Sequence, residues 1–325
     1  MLNYADNLID SDGFQSINKA YNSTFHANKL SLDLVVPLES YTNSAVPTMT
    51  DHVERVQLAE ALGFSAVWLR DVPFNVPTFG DAGQVFDPFV YLGVLAVQTK
   101  IIALGVASIV LPLRHPAHVA KAAASVDALS NGRMILGVAS GDRPEEYPAL
   151  NMSFEDRGEC FQAGFEYINQ MWEDAPSFEN AYGNSYGSMD MLPKPTAGKI
   201  PLLITGGSQQ EPEWIAQNGE GWITYPRNIE VQEKIINGWR GRIKAAGLYN
   251  KPAVQSLYID LLEDPDAPAQ SIHLGFRSGV NYLRSYLKSL EEIGINHVAI
   301  NLRFNQANIE DSLKRLADEV LPDFS

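Results

Sequence analysis

One cysteine, Cys160, stands among 325 residues. No intramolecular disulfide can form, no zinc site can rest on cysteine pairs, and a reducing compartment, the cytoplasm, is expected. Positive charge is scarce as well: Lys and Arg total 24 against 39 Asp and Glu, a formal net charge of −15. Nucleic acid and anionic membrane surfaces are bound by clustered cations, so neither is expected as a partner. No apolar run is long enough to span a bilayer, and the start, MLNYADNLIDSDGFQSINKA, has neither the basic nor the apolar segment of a signal peptide. A Pro/Gly-rich linker between two cores is also missing. The chain therefore reads as an N-terminal arm over residues 1–28 followed by a single domain over 29–325.

What is present is a globular core composition, 45% apolar and 10% aromatic. From Leu30 onward short β-branched runs alternate with longer helical patterns, the signal of parallel βα units. Eight strands are expected: Leu32 to Pro37, Ala66 to Arg70, Ile101 to Val110, Met134 to Ala139, Leu202 to Thr205, Gly221 to Thr224, Ala253 to Leu262 and Asn296 to Leu302. A similar phrase recurs between them, at Gly63, Gly132, Gly219, Gly247 and Gly294, each glycine placed to end a helix in the left-handed conformation. Thr50 is the expected N-cap of a helix over Asp51 to Leu62, and His115-Pro116 opens a helix running to Leu129. The fold class is α/β, a (β/α)8 TIM barrel with insertions in the βα loops. Two long stretches outside the repeat, Val72 to Phe86 and Ala175 to Lys199, are candidate lids.

Such barrels carry their chemistry at the C-terminal strand ends. Those ends read Glu39-Ser40, Arg70-Asp71-Val72, Ala107-Ser108, Ser140-Gly141-Asp142-Arg143, Thr205-Gly206-Gly207-Ser208 and Arg303-Phe304. ITGGSQQEPEWIA passes from a strand through two glycines into a helix start, where free N–H groups and the helix dipole can converge on an anion; an ordinary turn capped by Ser208 is the bland alternative. His115 and His118 could ligate a metal, but the remaining histidines supply no third ligand. The carboxylate pairs Glu145-Glu146 and Asp264, Asp266 read as solvated surface.

The run GVASIVLPLRHPAHVAKAAASVDALSNGRMILGVASGD, Gly105 to Asp142, closely resembles the bacterial-luciferase-like superfamily in its order of strand, Pro, His-Pro, helix, Asp-x-x-Ser-x-Gly-Arg and Gly-rich strand. AVWLRD, DPF, GGSQQEPEW and LADEVLP extend the resemblance from Leu30 to the C-terminus. It implies reduced FMN, or alternatively coenzyme F420, across the strand ends, and no metal. It implies a cis peptide between Ala107 and Ser108 as the platform for the flavin ring, Ser140 beside it, and a phosphate held by Gly207, Ser208, Gln209, Gln210 and Arg157. Luciferase carries a catalytic histidine just after strand two. Val72 stands at that position here, so light emission is not expected, and proton transfer is left to Asp71 or Glu39, with Val72 and Phe74 as pocket walls. The implied activity is that of a two-component FMN monooxygenase acting with O2 on a small organic substrate and supplied by a flavin reductase. An F420-dependent hydride transfer and a non-catalytic flavin-binding protein are the alternatives. A homodimer through the second and third barrel helices is implied too, with the small-residue face of Ala117 to Ala128 allowing close packing.

Overall fold

Each of the short apolar runs becomes a parallel strand. The computed structural model describes residues 13–80 and 82–324. It starts with a short helix α1 (Lys19–Thr24), then β1 (Ser31–Val35), α2 (His52–Ala61), β2 (Ala66–Leu69), α3 (Pro88–Gln98), β3 (Ala103–Val110), α4 (Pro116–Ser130) and β4 (Met134–Ala139). There follow α5 (Glu146–Ala149), α6 (Arg157–Met171), the hairpin β5 (Ser177–Asn180) and β6 (Gly183–Tyr186), β7 (Leu202–Thr205), α7 (Pro212–Asn218), β8 (Gly221–Thr224) and α8 (Ile229–Ala245). The chain finishes with β9 (Ala253–Leu261), the hairpin β10 (Gln270–Ile272) and β11 (Gly275–Ser278), α9 (Val280–Glu292), β12 (His297–Asn301) and α10 (Ile309–Glu319). Strands β1, β2, β3, β4, β7, β8, β9 and β12 pair in that order, all parallel, and β12 pairs back with β1. The sheet is thus a closed barrel ringed by helices, and the eight strands expected from the sequence are all there.

Alternation along the strands sorts side chains between two cores. Leu32, Leu34, Leu104, Val106, Leu136 and Val138 point outward under the helices, in one large apolar cluster. Val35, Ala66, Trp68, Ala103, Ile135, Leu203, Ile223, Val254 and Ala299 fill the barrel interior. Both faces are covered, which is why the strands read as near-continuous apolar runs. Trp68 is the bulkiest interior side chain, and its register partner is Gly105; a Cβ there would lie 2.4 Å from the indole. Small residue against large residue is how the interior layers close.

The arm is part of the barrel's lower end. Ala20, Tyr21 and Phe25 of α1 pack into the interior cluster, the Asn18 amide donates to the Met134 carbonyl, and the Tyr21 hydroxyl donates to that of Glu220. Residues 1–12 of the expected arm lie outside the described residues. Beneath Phe25 sits a buried polar chain. Trp68 Nε1–H donates to His297 Nε2 at 2.9 Å, which leaves the ring proton on Nδ1, 2.8 Å from Ser31 Oγ; that hydroxyl donates to the Thr24 carbonyl. Burial pushes the His297 imidazole down to about 3 and raises the carboxyl of neighbouring Asp33 well above its usual range, favouring the uncharged form of each.

Three local expectations are corrected. Asp51, itself left-handed at φ 54°, is the N-cap of α2, while the Thr50 hydroxyl pairs with Thr48. Gly219 ends α7 at φ −72°, extended rather than left-handed; there the need is for space, since a Cβ would lie 3.0 Å from Ile204. The segment 175–199 is a strap along the outside of α4 and α6: Asn180 bonds Ala163, Tyr182 bonds Cys160 and Thr196 bonds Asp127.

Candidate active site

At the C-terminal end of β3 the Ala107–Ser108 peptide is cis, and the register with β4 shifts between Val106 and Ile109. These two residues are the only ones in β3 that are not fully buried, so the bulge faces the barrel mouth. Ser140, at the end of β4 beside it, is buried, and its carbonyl accepts the Tyr147 hydroxyl.

Across the mouth, after β7, Gly206, Ser208 and Gln209 all take positive φ, 59°, 44° and 58°. Successive left-handed residues turn backbone N–H groups to one side, the geometry of an anion nest. The amides of Gly206 and Gln210 are spent on the carbonyls of Ile223 and Gly207, whereas those of Gly207, Ser208 and Gln209 reach no backbone carbonyl among the described residues. Ser208 Oγ donates to the Thr205 carbonyl. The turn abuts the first turn of α6: the Gln210 side-chain amide donates to the Gly158 carbonyl at 2.8 Å, and a Cβ on Gly158 would lie 2.8 Å from Gln209 Cβ. Arg157 opens that helix. Its guanidinium stacks 3.7 Å above the Phe154 ring and donates to the Phe154 carbonyl, while its buried Nε has no partner among the described residues. A nest of amides, a helix start and a pre-oriented cation with an unspent donor fit a phosphate group.

The two carboxylates expected to move protons are both engaged. Glu39 accepts the Thr48 N–H on one oxygen, at 2.8 Å, and the Met49 N–H on the other, at 2.9 Å. Asp71 accepts from the Val110 amide at 3.1 Å and from Arg114 through both oxygens, at 3.1 and 2.8 Å. Val72 is half-buried and Phe74 is 40% exposed, on a loop that the Gln84 amide ties to the Arg70 carbonyl. His115 Nδ1 caps α4 by accepting the Ala117 N–H.

Sequence reasoning missed several mouth residues. Glu146, read as solvated, is 2% exposed, because α5 turns Glu145 out and Glu146 in. Its neighbour Arg143 lies 4.4 Å over the Phe79 ring of the loop after β2. At the opposite rim Tyr258, His273 and Phe304 form an aromatic cluster, and Arg303 stacks on Phe304 and Tyr41. His273 reaches it only through the β10–β11 hairpin, which no periodicity announced.

The profile of the family described as luciferase-like monooxygenase matches residues 32–317. The chain is 25% identical over 259 residues to the oxygenase component of a flavin-dependent trigonelline monooxygenase from Acinetobacter baylyi, 76% of this chain and 68% of that protein. It is 27% identical over 223 residues to an F420-dependent glucose-6-phosphate dehydrogenase from Kineococcus radiotolerans, 66% of this chain and 64% of that one. Among solved structures, the monooxygenase RslO1 of Streptomyces bottropensis superposes with a TM-score of 0.75 at 18% identity, covering 91% of this chain and all of its own.

Proposed function

The chain belongs to the luciferase-like monooxygenase family, and from that premise we propose that it is the oxygenase of a two-component FMN system, using reduced FMN and O2 on a small organic substrate. The supporting observation is the phosphate-sized nest at 206–209 set against Arg157 and the start of α6. Gly207, Ser208, Gln209 and Gln210 would hold the phosphate with Arg157, while Ala107, Ser108 and Ser140 would support the ring. Val72 and Phe74 would wall the substrate. Reduced flavin with dioxygen supplies the oxidising chemistry when bound. The chain's own tasks are to orient the two reactants and to exclude water. Glu39 and Asp71 act in this reading by holding the loops after β1 and β3 in place, since their oxygens are already taken by backbone and Arg114 donors.

A flavin reductase is the proposed partner, and a second copy of the chain the proposed dimer mate. Coenzyme F420 with hydride transfer is the second reading, favoured by the F420-dependent relative. A titration with FMN, riboflavin and F420 tests these together. FMN should bind tightest, and Arg157→Ala should weaken FMN by roughly 10- to 100-fold, the worth of one charge-assisted hydrogen bond, while barely moving riboflavin, which lacks the phosphate. Equal weakening of both would remove Arg157 from the phosphate site. Tight F420 binding with weak FMN would transfer the assignment to hydride transfer.

A further inference from the structure

We propose that Glu146 is the proton-holding residue of this site, giving its proton to an oxygen formed or reduced at the ends of β2 to β4 and recovering it from water. The proposal rests on the cofactor reading above. Glu146 is 2% exposed, and its Oε1 is buried without a hydrogen-bond partner among the described residues, whereas the backbone N–H of Phe74 bonds the same carboxyl. That places it between the loop after β2 and the segment after β4, on either side of the cis bulge of β3. A carboxyl so placed has an atom free to carry a proton. Glu39 and Asp71, by contrast, each accept hydrogen bonds on both oxygens.

Among the described residues, the titratable groups around Glu146 are Arg143, Asp142 and Tyr147 from its own segment and Asp71 from the end of β2. Asp71 is itself paired with Arg114 from the turn after β3. Burial pushes the Glu146 carboxyl above the ordinary glutamate range; Arg143 and the Phe74 N–H pull it down, and Asp71 and Asp142 push it back up. In the step itself, Oε1–H breaks, the proton passes to the acceptor oxygen, and the resulting carboxylate is left facing Arg143 and the Phe74 N–H. No electron leaves the protein. With FMN, the probe reaction is oxidation of the reduced anionic flavin by dioxygen to oxidised flavin and hydrogen peroxide, which takes up one proton per turnover.

The test compares wild type with Glu146→Gln and Glu146→Asp. Glutamine keeps an oxygen to accept the Phe74 N–H but cannot exchange a proton, so a purely structural role survives that change. Infrared spectroscopy of the cofactor-free proteins reads the proton directly: the wild-type minus Glu146→Gln difference spectrum near neutral pH, in which the contribution of buried Asp33 cancels, should show the C=O stretch of a protonated buried carboxyl. In the second arm peroxide release from bound reduced FMN is followed across pH. Glu146→Gln should bind FMN as wild type does, release peroxide about a hundredfold more slowly and lose the pH dependence that Glu146→Asp partly restores. An absent infrared band, or superposable pH–rate profiles for wild type and Glu146→Gln, overturns the proposal. Failure of FMN to bind would bring down the cofactor reading instead, and the infrared band alone would then decide whether Glu146 holds a proton.

Discussion

Inside the lower barrel the buried pair of Asp33 and His297 makes a prediction that depends on its sign. His297 is held neutral in the folded chain down to about pH 3, whereas in the unfolded chain it takes up a proton below about 6.5, so its share of stability is lost as pH falls from about 6.5. Asp33 is shifted the other way: its folded carboxyl keeps its proton above the 3.8 of the unfolded chain, so its share of stability is lost as pH rises from about 3.8. The two slopes oppose each other where they overlap. Asp33→Asn leaves only the His297 slope, so the stability of the variant should climb from about pH 3 to 6.5 more steeply than that of wild type. Urea unfolding of both proteins across this range measures it, and parallel curves would show that Asp33 carries no such shift.

At the scale of elements, α1 and the strap 175–199 show where sequence pattern stops informing. The eight barrel strands were legible because both of their faces are apolar, and the helix stops at Gly63, Gly132, Gly247 and Gly294 were legible because only a left-handed residue makes that turn, φ 68° to 92° here. The turn after β7 showed in its two glycines. The role of α1 was not visible, since six residues carry no period, and what anchors its end is contact of the C-cap residue Phe25 with Trp68 and His297, distant in sequence. Glu146 was misread for a related reason: in a four-residue helix no periodicity tells the inward carboxylate from the outward one. The strap looked like a lid because its composition is that of a loop; its hydrogen bonds to Ala163, Cys160 and Asp127 are long-range. If α1 is a true plug, Phe25→Ala should cost about 3 to 5 kcal/mol, the range for a large buried aromatic. Chemical denaturation should show a lower midpoint at unchanged slope. A loss under about 1 kcal/mol would mean that α1 lies on the barrel without closing it.

Among the described residues, α3 leaves an apolar face uncovered. Val90, Val94 and Val97 lie at spacings of four and three along α3, hence on one side of the helix, and Ile101 follows just past its end. They are 69%, 41%, 65% and 63% exposed, and Leu129 at the end of neighbouring α4 is 60% exposed. Of the small residues of neighbouring α4, Ala120, Ala123 and Ala124 are buried in the chain's own core, while Ala128 is exposed beside Leu129. A chain with a formal charge of −15 is kept apart from its copies by long-range repulsion, so association requires a patch where apolar burial outweighs it. The α3 face is short of charge as well, its eleven residues PFVYLGVLAVQ containing none. We propose that two copies meet through this face, with α3 against α3 about a two-fold axis, so that each valine stripe covers the other. Sedimentation at micromolar concentration should give twice the chain mass for wild type and the chain mass for Val90→Glu combined with Val97→Glu. Both substitutions are at exposed positions, so the fold should survive them with circular dichroism unchanged. A monomeric wild type, or a double variant that remains dimeric, would move the interface elsewhere or remove it.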